Sequence, residues 1–182
     1  MFKINSKLSL DGATSKDILF IENLMIIDSN RGHYKKEFIE NPLTLKQTIN
    51  TLISGKQLNN NGMLVTPQTA IVKTGNINIG FIVIGSMPSG LIEFWYFSLD
   101  DKYKGKGFGT QVIDFLEKQY ESLSKSQDSK PLFIARCSDN SNAMKKILIK
   151  KKYIKSTKSE PGWSTFINSK NSKFDKLLVD IL

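Results

Sequence analysis

The sequence predicts one mixed α/β domain, with elements in the order β-α-α-β-β-β-α-β-α-β-β and an extra helix at the C-terminal end. Three observations carry this. Residues 91–121 run from an apolar, aromatic strand (Ile92, Phe94, Trp95, Tyr96, Phe97) through a glycine-rich turn, Lys104 to Thr110, into Val112, Leu116, Tyr120 and Leu123 at helical spacing. Ahead of it, two β-rich segments meet at Gly75-Asn76, a two-residue hairpin turn. Behind it, residues 132–135 read as a buried strand that leads through an Asn/Ser-rich turn into a short helix.

In chain order, residues 3–10 fit an edge strand. Ser15 can cap a helix with Ile18, Ile21, Leu24 and Met25 on one face, interrupted by Gly32 and the charged stretch 33–40. Asn41-Pro42 opens a second helix, since asparagine is a favoured N-cap and proline a favoured first residue; Leu45, Ile49, Leu52 and Ile53 line it and Gly55 ends it. Residues 59–62, three asparagines and a glycine, read as a loop. Strands over 69–74 and 77–84 and the strand from Leu91 make an antiparallel meander. Strands over 153–157 and 163–168 come after the short helix, and Phe174, Leu177, Leu178 and Ile181 give the terminal helix an apolar face.

A length of 182 residues suits a single domain over 1–182. Hydrophobic residues make up 40% and charged ones 24%, an ordinary globular composition. No apolar run approaches the roughly 18 residues of a membrane span, and the N-terminus lacks a signal-peptide core, so a cytoplasmic setting is expected. One cysteine, Cys137, and one histidine, His33, argue against a disulfide framework and against a zinc site. The net charge of +9 suits an anionic ligand. Lys145, Lys146, Lys150, Lys151 and Lys152 crowd one helix end, where positive charge complements the dipole. With no aromatic–basic stacking pattern, nucleic acid is not the expected partner.

A strand, a glycine-rich turn and a helix start make an anion cradle, because glycines let the backbone approach and the first N–H groups of the helix point outward. Two nucleotide loops are excluded. A Walker loop needs Ser or Thr after Gly-Lys, and Gly107 follows Lys106; the dinucleotide fingerprint needs a third glycine where Thr110 stands. The run Lys104-Gly105-Lys106-Gly107-Phe108-Gly109 instead resembles the Gln/Arg-x-x-Gly-x-Gly/Ala pyrophosphate loop of the GCN5-related N-acetyltransferases (GNATs), with lysine in place of arginine. Asn140 or Asn142, Ala143, Ile147, Leu148 and Tyr153 take the places of that family's Asn-rich turn, alanine, apolar pair and closing aromatic.

The resemblance implies the GNAT fold, acetyl-coenzyme A as cosubstrate, and an amine as acceptor, in a monomer or homodimer. Backbone N–H groups from Gly105 through Lys106, Gly107, Phe108 and Gly109 to Thr110 would hold the pyrophosphate, Lys104 and Lys106 would add screened attraction, and Asn140 and Asn142 would lie nearby. Backbone groups of Phe97, Ser98 and Leu99 would hold the thioester. The acceptor must lose a proton, since an alkylammonium has a pKa of about 10.4. Glu93, an acidic residue in an apolar strand, is the candidate general base; its distance before Lys104 equals that of the catalytic glutamate in the histone-acetylating branch. Alternation would place it on one face with Trp95, Phe97 and Leu99. Leu148 occupies the position of the family's proton-donating tyrosine, which leaves Tyr153, Tyr120 and Ser141 as substitutes. It also suggests an alternative, a non-catalytic acyl-coenzyme A-binding regulatory or partner-binding module. His33 falls where the acceptor pocket is expected.

Overall fold

The computed structural model describes residues 2–3, 8–60, 62–124 and 130–168; the terminal helix expected over 174–181 lies outside them. Strands β1 (Phe2–Lys3), β2 (Leu8–Gly12), β3 (Leu58–Asn60), β4 (Met63–Thr74), β5 (Ile77–Ser86), β6 (Leu91–Leu99), β7 (Leu132–Ser138), β8 (Tyr153–Lys155) and β9 (Trp163–Asn168) form one sheet. Its order is β1-β2-β4-β5-β6-β7-β9-β8, with β3 paired to the start of β4. Helices α1 (Ile18–Asn30), α2 (Glu37–Glu40) and α3 (Pro42–Ser54) precede the meander, while α4 (Phe108–Ser124) and α5 (Asn142–Lys150) flank β7 in sequence.

Local chemistry sets the boundaries. Asn41 Oδ1 accepts the Thr44 N–H at 3.1 Å, Pro42 begins α3, and Gly55 closes it in a left-handed conformation, φ 64°. The start of α1 differs from expectation: the Thr14 N–H donates to Asp17 Oδ2 at 2.9 Å and a 3₁₀ turn, Ser15–Asp17, leads in. The asparagine run is also more ordered than a loop. Leu58, Asn59 and Asn60 pair with Val65, Leu64 and Met63, because backbone pairing supplies what the polar side chains do not.

The sheet separates two apolar layers. One gathers Ile82, Ile92, Phe94, Phe133 and Phe166 under Val112, Ile113 and Leu148 of α4 and α5; Phe94 stacks on Phe133 at 5.9 Å. The other places Ile71, Phe81 and Val83 against Ile21, Met25, Leu45 and Ile49 of α1 and α3. Phe81, Phe133 and Phe166 are fully buried, so truncating any of them to alanine would cost about 3–5 kcal/mol.

Two irregularities in β6 position the site. Val83 pairs with Tyr96 and the next residue, Ile84, with Phe94, so Trp95 is an extra residue in a β-bulge. Before it, Ile92 and Phe94 pack on the α4 side; after it, Phe97 and Leu99 do. The expected common face of Glu93, Trp95, Phe97 and Leu99 is therefore broken. Glu93 and Trp95 stay together, and Phe97 and Leu99 turn to the opposite side. The second irregularity is a parting of strands. The parallel ladder between β6 and β7 ends at Phe94 and Ala135, yet β6 continues along β5 to Leu99 and β7 along β9 to Ser138.

Candidate active site

Where β6 and β7 part, a cavity of about 780 Å³ opens, within the range of small-molecule sites. Phe97, Ser98 and Leu99 form one wall, Ala135, Arg136 and Cys137 another, and Lys104, Gly105, Gly107, Gly109 and Thr110 close one end. Asp100 donates its N–H to Ile79 O at 2.8 Å. Since strand amides alternate in direction, those of Phe97 and Leu99 face away from β5, toward the opening.

The glycine loop is built for close approach. Gly105 and Gly107 have φ of 73° and 80°, a region that side chains rarely adopt, and neither would meet a clash through an added Cβ. The surface there is bare backbone, and Gln111 N–H to Gly107 O, 3.1 Å, is the first helical bond of α4. The N–H groups before Gln111 have no intrahelical acceptor, which suits a pyrophosphate. Gly109 has a different reason: a Cβ there would lie 3.0 Å from Ile147 Cδ1, so it lets α4 approach α5.

The lysines of the loop differ. Lys104 Nζ lies 3.3 Å from Asp28 Oδ1 and 3.0 Å from Asp101 Oδ1, so its charge is already compensated. Lys106 Nζ sits 5.6 Å above the Tyr103 ring and does not line the cavity. Phe108 packs beside Tyr103 on the core. Asn140 donates to Arg31 O at 3.3 Å; neither it nor Asn142 lines the cavity, whereas Ser141 between them does. The basic helix end is partly neutralised too. Lys151 pairs with Asp114 and, at 2.9 Å, with Glu117, and Lys145 reaches Asp139 at 3.6 Å.

Glu93 is buried in the cavity wall. Its Oε1 takes Arg136 Nε at 3.1 Å and its Oε2 takes the Trp95 indole N–H at 3.0 Å. Asp28, also buried, accepts Ser98 Oγ at 2.5 Å. His33 Nδ1 lies 3.4 Å from Ser141 Oγ, which is 3.0 Å from Ser138 Oγ. Burial lowers the His33 pKa, against the opposing pull of Asp28. The Cys137 thiol, pushed up to about 12 by burial, stays protonated.

Of the substitute proton donors expected from sequence, Ser141 alone lines the cavity. The Tyr153 hydroxyl donates to Glu117 at 2.7 Å, and Tyr120 is absent from the wall. Sequence reasoning missed Tyr34. Its hydroxyl is buried in the cavity wall beside the Phe97 backbone and the Ser98 side chain; burial first, then Asp28, raises its pKa well above the ordinary value, against the lowering pull of hydrogen bonding from Phe97 and Ser98. Its place beside His33, at the expected acceptor pocket, was the available signal.

Solved structures decide the fold. One is RimL, ribosomal L7/L12 α-N-protein acetyltransferase, in complex with coenzyme A, which is 12% identical with a TM-score of 0.67 over 91% of this chain and 96% of that one. The chain has the GNAT fold. A domain from Methanocaldococcus jannaschii superimposes with a TM-score of 0.68 at 13% identity, over 88% of this chain and 97% of that one. A GNAT-family acetyltransferase from Listeria monocytogenes gives 0.59 at 16% identity, over 88% and 93%. No family model matches the sequence, and no curated protein does. Among the described residues of this GNAT fold, no helix is long and apolar enough to cross a membrane, and no three His, Cys, Asp or Glu side chains gather to hold a metal ion.

Proposed function

We propose that this protein is an N-acetyltransferase that moves the acetyl group of acetyl-coenzyme A to a primary amine by direct attack. One observation carries the reading: the opening between β6 and β7 leads straight to a glycine loop with bare backbone at a helix N-terminus. The RimL structure bound to coenzyme A supports the same ligand class.

The residues divide the work. Amides from Gly105 to Thr110 hold the pyrophosphate, with Lys106 adding screened attraction. The N–H groups of Phe97 and Leu99 receive the thioester oxygen as negative charge develops. Glu93, with its two oxygens oriented by Arg136 and Trp95, takes a proton from the acceptor ammonium through an intervening water. The amine nitrogen then bonds to the thioester carbon and the C–S bond breaks. The leaving sulfur receives its proton from the Tyr34 hydroxyl, which burial keeps protonated, and the second proton of the amine nitrogen passes to the Tyr34 phenolate and restores it.

A binding-only module is the second reading, favoured by the buried Leu148 where the resemblance calls for a tyrosine. Calorimetry with coenzyme A, followed by thiol release from acetyl-coenzyme A across a panel of amines, separates the two. Binding with acceptor-dependent release is the expected result. Binding without release from any amine selects the module, and absence of binding removes both.

A further inference from the structure

The cavity chemistry narrows the acceptor, given the acetyltransferase reading above. Two carboxylates line the cavity, and both are taken: Asp28 by Ser98 and Lys104, Glu93 by Arg136 and Trp95. The positive groups are only partly used. Arg136 spends Nε on Glu93, and its two terminal nitrogens have no partner among the described residues, although the side chain lines the cavity half-exposed. Lys35, also exposed in the wall, has no carboxylate within reach among the described residues. Arg136 lies on β7 just past the last residue paired with β6, so it stands at the mouth of the opening. Its neighbours Ala135 and Cys137 pack on the α4 side, so alternation turns Arg136 to the face of Glu93 and Trp95, away from the helix that carries the pyrophosphate loop.

We infer that the acceptor is an amine bearing a carboxylate, and that the free edge of the Arg136 guanidinium receives that carboxylate. A guanidinium whose Nε is fixed by a buried acid offers two parallel N–H donors in the geometry of a carboxylate. Trp95, Tyr96 and Trp163, which also line the cavity, provide flat apolar walls for the rest of such a molecule. Polyamines and aminoglycosides fit poorly. They would bring several positive charges to a cavity whose unpaired charge is already positive.

Matched pairs test this. L-phenylalanine and phenethylamine differ by the carboxylate, and spermidine and kanamycin stand for polycations. Thiol release should favour the carboxylate member by about 10- to 100-fold in kcat/KM, the worth of charge-assisted hydrogen bonds. Arg136→Gln should bring that ratio to near one, and Arg136→Lys should restore only part of it. A second measurement needs no turnover. The chain has two tryptophans, Trp95 and Trp163, and both line the cavity. With coenzyme A bound, N-acetyl-L-phenylalanine should shift both indole N–H signals in an Arg136-dependent way, and N-acetylphenethylamine should not. Preference for spermidine or phenethylamine, or indole signals that ignore the carboxylate, overturns the inference. So does a loss of coenzyme A affinity above about tenfold in Arg136→Gln, which would assign the arginine to the cosubstrate's phosphates. Failure to bind coenzyme A at all would instead strike the acetyltransferase reading.

Discussion

Arg31, just beyond α1, grips both oxygens of Asp101, at the entrance to the glycine loop, at 2.7 and 2.6 Å. Lys104 joins Asp101 and reaches back to Asp28 of α1, so four charged side chains fasten the loop to the first helix. The hydrogen bond from Arg31, then that from Lys104, holds the Asp101 carboxyl well below the usual carboxylate range.

Asp101→Asn should loosen this fastening. Both Arg31 and Asp101 are well exposed, so solvent screening keeps the stability cost under about 1 kcal/mol, checked by urea denaturation. Coenzyme A should bind about 3- to 10-fold more weakly, through a faster off-rate. Because the folded-state pKa of Asp101 is depressed, its contribution is present above the unfolded value near 4 and is lost only as pH falls through the depressed one. The difference between wild type and variant should therefore stay flat from pH 5 to 8.

Gly107→Asp places a side chain and a negative charge where an anion is expected to lie, on a backbone of φ 80°. Coenzyme A affinity should fall by more than about tenfold, with circular dichroism unchanged. Wild-type affinity in a folded variant would remove the loop from the binding site.

Glu93→Gln removes basicity and keeps size. Coenzyme A affinity should persist while the rate at neutral pH falls by about 10²–10⁴-fold. The loss should shrink as pH approaches the acceptor's own pKa, where the amine arrives unprotonated. An equal loss at every pH would make Glu93 an anchor for Arg136 and Trp95 with no part in proton transfer.

Tyr34→Phe deletes one buried hydroxyl and keeps the ring against Tyr96, so stability should fall by no more than about 1 kcal/mol. The rate should fall by about 10²-fold or more with poorly activated thioesters, and the binding of coenzyme A should be unaltered. A rate within twofold of wild type would transfer the proton-donor role to Ser141.

Lys152 carries φ 65° just past Lys151, the residue that caps the C-terminal end of α5. Lys152→Gly should raise stability by about 1 kcal/mol, even after the lysine's own contacts are lost, because the left-handed region costs an L side chain that much. A shift in the urea midpoint at constant slope is the readout.

Sequence patterns revealed the parts of the molecule that depend on neighbours in the chain. The glycine loop, the α3 caps and the Gly75-Asn76 hairpin are local, and each carries its own residue signature. Features made by distant partners were hidden. The Arg31–Asp101 and Ser98–Asp28 bonds each join residues 70 apart, and nothing in either segment announces the other. Alternation misread β6 because Trp95 has no bulge signature: it is a good strand residue that happens to be one too many. Cavity polarity stayed illegible for the same reason, since Glu93 looked unpaired until the fold brought Arg136 beside it.

The bulge at Trp95 breaks β6 into two half-strands out of phase: Glu93 and Trp95 share one face of the sheet, and Phe97 and Leu99 beyond them turn to the α4 side. Under the proposed acetyl transfer, a substitution at Trp95 would alter the acceptor's surroundings and leave Phe97 and Leu99 in place. Deleting Trp95 would restore strict alternation and leave every other side chain on its present face, because the bulge residue is the extra one. Such a deletion would isolate what the extra residue itself contributes, since Glu93, Phe97 and Leu99 would keep their directions and only the Trp95 indole beside Glu93 would be lost.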